Sequence, residues 1–237
     1  WSGNEYAVGD LHATLKTAGT LGFWKRPWMN VEYPDYPEIG TFEGDFFEPE
    51  KWRPAYPNAA FTRILPDDAF WAAKIVARFS DDDIRAVVHT GEYSDPAAEK
   101  YLADTLIKRR DKIVAAYFKQ INPLDAFVIT DGHLMFRNLG AEAKLATDAY
   151  YEYVVNAYNY QNDVHSPITD RTFTDITDIP LPRAAGEYLM VRIRTRSAQQ
   201  RGWRKNVDVF LRIKGDPAVI GVDREVGAYV LDRDLSG

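Results

Sequence analysis

The 237 residues carry a net charge of −6, with a sequence pI near 5.3, so no overall basic field exists to recruit a polyanion and nucleic acid is not an expected partner. Hydrophobic residues at 46% and charged residues at 27% place the chain in the globular range, far from disorder. The absence of cysteine excludes disulfides, thiolate metal sites and thiol nucleophiles, and no window reaches the roughly eighteen uncharged apolar residues of a membrane span.

The first residue is Trp1, with no basic segment followed by an apolar core, and this predicts an exported or processed product, periplasmic or secreted, with a cytoplasmic location as the alternative. Residues 8–22 place Val8, Leu11, Leu15, Ala18 and Leu21 at helical spacing and predict an amphipathic helix closed near Gly19 or Gly22. From Phe23 to Phe61 eleven aromatic residues interleave with six prolines, and neither a helical nor a strand period fits. Proline fixes its own φ and drives the preceding residue toward extended backbone, so residues 23–61 should form an extended arm. Such an arm either wraps its own domain as core or offers an aromatic platform to a sugar, a peptide or a partner protein.

The run ILPDDAFWAAKIVARF predicts a helix over 66–79, with Pro66 in an early position and Asp67 and Asp68 at the positive end of the helix dipole. Ser80 ahead of Asp81, Asp82 and Asp83 resembles a capping box with Asp in place of Glu, opening a short helix that stops at Gly91. Asp95-Pro96 starts a third helix, striped by Tyr101, Leu102, Leu106, Ile113, Val114, Tyr117 and Phe118, which Asn122-Pro123 ends. The basic run Lys108, Arg109, Arg110 and Lys112 on that helix reads as a solvated face.

Beyond residue 123 the period changes toward two. FVIT and HLMFRNL flank Asp131-Gly132, the strongest hairpin signal in the chain. Further strands are predicted over 149–160, 172–181, 187–197, 205–215 and 218–225. In the third of these, Leu189, Val191 and Ile193 oppose Met190, Arg192 and Arg194, the pattern of a half-buried strand. The expected fold is α+β: a helical part over residues 1–122 that includes the arm, then a small antiparallel β-sandwich over 123–237.

The stretches YYEYVVNAYN and YLMVRIRTRSAQQRGWRKNVDVFLR, with Gly202 and Trp203 in the last hairpin, resemble the central and final strands of a fibronectin type III-like (Ig-like) domain across residues 124–215. The extra strand over 218–225 departs from that pattern. GFWKRPWMNVEYPDYPEIGTFEGDFFEPEKWRPAYPNAAF, DAFWAAKIVARFSDDDIRAVVHTGEYSDPAAEKYLADTLIKRRDKI and VIGVDRE are similar to the C-terminal part of long, uncharacterised bacterial exported proteins. Together the resemblances imply interaction rather than catalysis.

No local chemical signature contradicts that reading. His12, His89, His133 and His165 are scattered and form no HxH or HExxH pair, and GxSxG, GxxxxGK[ST] and GxGxxG are absent. Asp170, Asp175 and Asp178 lack the spacing of an EF-hand loop, so a charge-protected edge strand is the better reading. No metal and no cofactor is expected. Trp24, Trp28, Tyr33, Tyr36, Trp52 and Tyr56 are the candidate contacts for a protein partner or a glycan. Glu43, Asp45, Glu48 and Glu50 among those aromatics are the acids a glycan hydrolase would need. The sequence therefore predicts a non-catalytic interaction or structural module, an accessory subunit or the processed end of a larger exported protein. A carbohydrate-binding or glycan-hydrolysing protein is the alternative.

Overall fold

A computed structural model describes residues 11–21, 23, 32–52, 58–182 and 186–226. They form a mixed α+β structure with two antiparallel sheets, of three and six strands. By their contacts the residues divide into two compact units. One gathers residues 72–116 with the described part of 1–64; the other takes Leu65–Trp71 and the described residues from Tyr117 onward.

The helices are α1 (Leu11–Gly19), α2 (Ala59–Thr62), α3 (Pro66–Val76), α4 (Asp81–His89) and α5 (Pro96–Phe118). Their starts follow local chemistry. At α4 the Ser80 hydroxyl accepts the Asp83 amide at 3.1 Å while the Asp83 carboxylate accepts the Ser80 amide at 2.9 Å, a complete capping box. Asp95 caps α5 by accepting the Ala97 amide at 2.8 Å. Helix α3 ends at Val76 rather than 79. Its exit tightens into i→i+3 bonds from Arg78 to Ile75 and from Phe79 to Val76, and the Arg110 guanidinium takes the Phe79 carbonyl at 2.8 Å. No described helix is long and apolar enough to cross a membrane.

In the second unit β1 (Leu124–Thr130), β2 (His133–Asn138) and β6 (Asp178–Pro180) form one sheet in the order β1-β2-β6. The larger sheet contains β3 (Tyr150–Asn159), β4 (Val164–Pro167), β5 (Thr172–Thr174), β7 (Tyr188–Arg196), β8 (Asn206–Arg212) and β9 (Ala218–Arg224). Its order is β4-β3-β7-β8-β9, with β5 also paired to β3. A short helix α6 (Leu139–Glu142) follows β2. Asp131 and Gly132 both take positive φ, +50° and +80°, which is the mirror-image turn that matches strand twist and brings Thr130 opposite His133.

One core cluster joins the two sheets face to face. Leu124, Leu134, Phe136 and Ile179 from the smaller sheet meet Val155, Val191, Ile193, Val209 and their neighbours from the larger. The segment 172–181, expected as one strand, is instead divided between the sheets. Phe173 is 59% exposed on β5 and Ile179 is fully buried on β6, two odd-numbered positions that a single straight strand would put on the same face. The bend at 175–177, where Thr174 Oγ1 accepts the Ile176 amide, separates them. Strand β4 carries no apolar alternation, since all four of its residues are exposed, and it is not among the predicted strands.

Trp203 lies in a 3₁₀ turn, Arg201–Arg204, between β7 and β8 and is fully buried. Its Nε1–H donates to the Phe118 carbonyl at 2.8 Å, capping the last turn of α5. Around it Asn122 Nδ2 donates to the Lys205 carbonyl at 3.0 Å, Lys205 Nζ to the Gln120 carbonyl at 3.0 Å, and Thr195 Oγ1 to Asn122 Oδ1 at 2.7 Å. Gly140 and Gly202 are required there: a β-carbon on Gly140 would run into the indole, and one on Gly202 into the Lys119 carbonyl. In the same unit the partly buried Arg224 donates to the Leu124 carbonyl at 2.7 Å and stacks its Cζ 5.1 Å from the Phe70 ring. Burial lowers its pKa below the ordinary value, against the attraction of Asp125.

Trp203→Ala is expected to cost about 3–5 kcal/mol, because it opens a cavity and strands a buried carbonyl. Urea unfolding followed by circular dichroism measures this, and a loss below about 1 kcal/mol would show that the indole is not the latch.

Candidate functional site

Strand alternation sends Tyr151, Tyr153 and Val155 into the core and leaves Glu152 and Asn156 on the opposite face of the large sheet. Register then lines up the charges. Glu152 lies opposite Arg194, Arg192 opposite Asp208, and Arg194 opposite Asn206. Glu152, Asn156, Arg192 and Arg194, with Arg171 and with His165 and Pro167 of β4, wall a cleft of about 310 Å³, and Asp208 and Asn206 back the arginines from β8.

Glu152 is 5% exposed, and three guanidiniums surround it: Arg171 Nε at 3.2 Å, Arg194 Nη1 at 4.0 Å, and Arg196, which binds Oε2 through Nε at 2.7 Å and through Nη2. An unpaired carboxylate would not be retained at that depth. Arg192 makes a bidentate pair with Asp208, Nε to Oδ1 at 2.7 Å and Nη2 to Oδ2 at 2.6 Å. Those bonds to Asp208 raise the pKa of Arg192 above its ordinary value, against desolvation. Arg194 Nε donates to Asn206 Oδ1 at 2.5 Å. Three guanidiniums, of Arg171, Arg192 and Arg194, thus line the cleft with one carboxylate, Glu152, in a chain whose net charge is −6.

The same face continues into an aromatic end. Tyr158 and Phe210 have ring centroids 4.8 Å apart, and Tyr160 and Tyr188 5.1 Å apart in an edge-on arrangement.

The residues singled out from the sequence lie in the first unit, on the arm. Tyr33, Tyr36 and Trp52 are half-buried: Tyr36 packs on Tyr101 of α5 at 5.5 Å and Trp52 edge-on to Phe61 at 5.3 Å. Trp24, Trp28 and Tyr56 lie outside the described residues. Of the acids, buried Glu43 accepts the Phe46 amide at 2.8 Å, Asp45 pairs with Lys108, and Glu48 pairs with Lys51 at 2.6 Å. Glu50 is exposed. The hydrogen bond from Lys108 holds the Asp45 carboxyl below its ordinary pKa, against desolvation.

The basic run of α5 is more than a solvated face. Arg109 lies over the Phe42 and Phe47 rings, 3.9 and 4.6 Å from their centroids, and donates to the Glu43 carbonyl. Lys112 donates to the Asp45 and Phe47 carbonyls, Tyr101 to the Phe42 carbonyl, and Arg110 to Phe79 and Asp81. Arm residues 42–47 are therefore bound to the helix of their own unit.

Of the histidines, His89 contacts Glu99 at 3.0 Å, His133 contacts Asp178 at 2.6 Å, and His165 borders the cleft. Among the described residues no three His, Asp or Glu side chains are grouped to hold a metal ion. The arginine cluster was missed as a site, although Arg192, Arg194 and Arg196 already alternate in the sequence. What completes it, Glu152 and Arg171, comes from other segments.

No family model matches this chain, and no curated protein or solved structure does.

Arg109→Ala is expected to free residues 42–47 by about 2 kcal/mol, the loss of a cation–π stack and a charged hydrogen bond. Hydrogen exchange at the Phe46 amide should then quicken severalfold; an unchanged rate would mean that the arm is held by other contacts.

Proposed function

We propose that this chain is a non-catalytic interaction module, serving as an accessory subunit or as the C-terminal part of a larger exported protein. In this reading its contact surface is the arginine-lined outer face of the six-stranded sheet. The observation that carries the proposal is the cleft itself: paired strands hold its cations in register, and its carboxylate, Glu152, like Asp208 behind Arg192, is occupied by arginines rather than poised as acid or base. The arm acids are likewise engaged, Glu43 by backbone and Asp45 and Glu48 by lysines, so the glycan-hydrolase reading has less to draw on.

Strand order supports the fibronectin III-like reading. In an Ig-type sandwich the first, second and fifth strands of the fold share one sheet, and the third, sixth and seventh the other. Here β1-β2-β6 and β3-β7-β8 follow that arrangement when β4 and β5, which both pair with β3, are counted as one strand, with β9 added beyond β8. Folds of this type serve many unrelated roles, so the surface rather than the fold carries the functional argument.

Native mass spectrometry with cross-linking on extract from the source organism tests the proposal. The expected result is a larger assembly with cross-links on β3, β4, β7 and β8. A chain travelling alone, or cross-links confined to the helical unit, would overturn it.

A further inference from the structure

We infer that the cleft on the outer face of the large sheet receives an anionic side chain, carboxylate or phosphate ester, from an extended peptide segment of a partner protein. This rests on the interaction-module reading and names the chemistry of the partner.

Charge complementarity is the first argument. Three arginines line the cleft beside one carboxylate, Glu152, in an acidic protein, and guanidinium forks bind carboxylate and phosphate oxygens with matched geometry. The second is preorganisation. Asp208 fixes Arg192 through Nε and Nη2, an arrangement that leaves Nη1 outside the pair, and Asn206 fixes Arg194 through Nε. Little side-chain entropy is then left to lose on binding. Arg171, 61% exposed in the loop ahead of β5, can close over an anion without disturbing the core.

Shape supplies the third argument. A volume of about 310 Å³ lies at the small end of ligand pockets and suits one side chain with its immediate backbone. The wall formed by His165 and Pro167 belongs to β4, which ends the sheet; its outer edge pairs with no described strand, and all its residues are exposed. An extended segment running along such an edge can place alternate side chains toward the cleft, the recognition mode of strand addition. Tyr160, 59% exposed on the same face, offers the segment an apolar neighbour.

The test uses the full chain and short fluorescent peptides that differ at one central residue, Glu, phosphoserine or Gln, with inorganic phosphate as a fourth probe. At low salt the Glu or phosphoserine peptide is expected to bind at least about tenfold more tightly than the Gln peptide, and the preference should fade near 0.5 M salt, where screening is about complete. Binding of the Glu peptide assigns the natural group as a carboxylate, and binding of phosphoserine alone assigns a phosphate ester. Arg171→Ala and Arg194→Gln should each weaken binding by about tenfold, whereas Arg137→Ala, on the other sheet beside Glu142, should not. Thermal melts establish that each variant is folded, and Arg171→Ala, at an exposed position, keeps the test valid if Arg194→Gln is unstable.

Equal affinity for all three peptides, equal loss in Arg137→Ala, or inorganic phosphate binding as tightly as the anionic peptides would overturn the inference. If the peptides fail while cross-links still map to β3, β4, β7 and β8, the module reading stands and only its anionic ligand is removed.

Discussion

A buried indole is the constraint on which the β unit depends. Trp203 comes from a tight turn between two strands, yet its ring lies against Gly140 and Pro123 and its N–H satisfies a carbonyl at the end of α5. Helix ends leave carbonyls without intrahelical partners, and buried ones must be met by something. Here the β7–β8 turn meets them, with Lys205 on Gln120 and Trp203 on Phe118, while Asn122 is held by Thr195 and Lys205. The exit of the helix and the path of the final strands are consequently set together. At Gly140 and at Gly202 the chain approaches so closely that a side chain has no room.

With the core on one side, the other face of the same sheet can be polar. Burying Glu152 would be unfavourable by itself, and three arginines brought close would repel one another, but together the groups offset each other's cost. The bidentate Arg192–Asp208 pair works in the same way one strand over. The result is a charged surface beside an edge strand, the face on which the proposed interaction rests.

The helical unit shows the opposite use of charge. Asp45 and the backbone carbonyls of 43, 45 and 47 are taken up by Lys108, Arg109 and Lys112, and Phe42 and Phe47 cover the Arg109 guanidinium. An aromatic, acidic segment that looks like a ligand platform when read along the chain is in this part bound to its own helix. Aromatic residues and prolines reveal that a segment is extended, but not what it lies against.

Local chemistry made the helix starts legible: Pro66, the Ser80–Asp83 box and Asp95-Pro96 act within one turn, so neighbours in sequence suffice to specify them. The same holds for the Asp131-Gly132 hairpin and for the alternation of Leu189, Val191 and Ile193, whose period of two follows from backbone geometry alone. What only the tertiary structure decided involves partners distant along the chain. The division of 172–181 between two sheets depends on which sheet each half pairs with, β4 forms because β3 offers it an edge, and Trp203 finds Phe118 across the fold. The cleft is of this second kind: Arg192 and Arg194 alternate visibly in the sequence, but only strand register brings Glu152 opposite them, and only the loop ahead of β5 delivers Arg171. Ion pairs act across a few ångströms of space, and the sequence records separation along the chain instead.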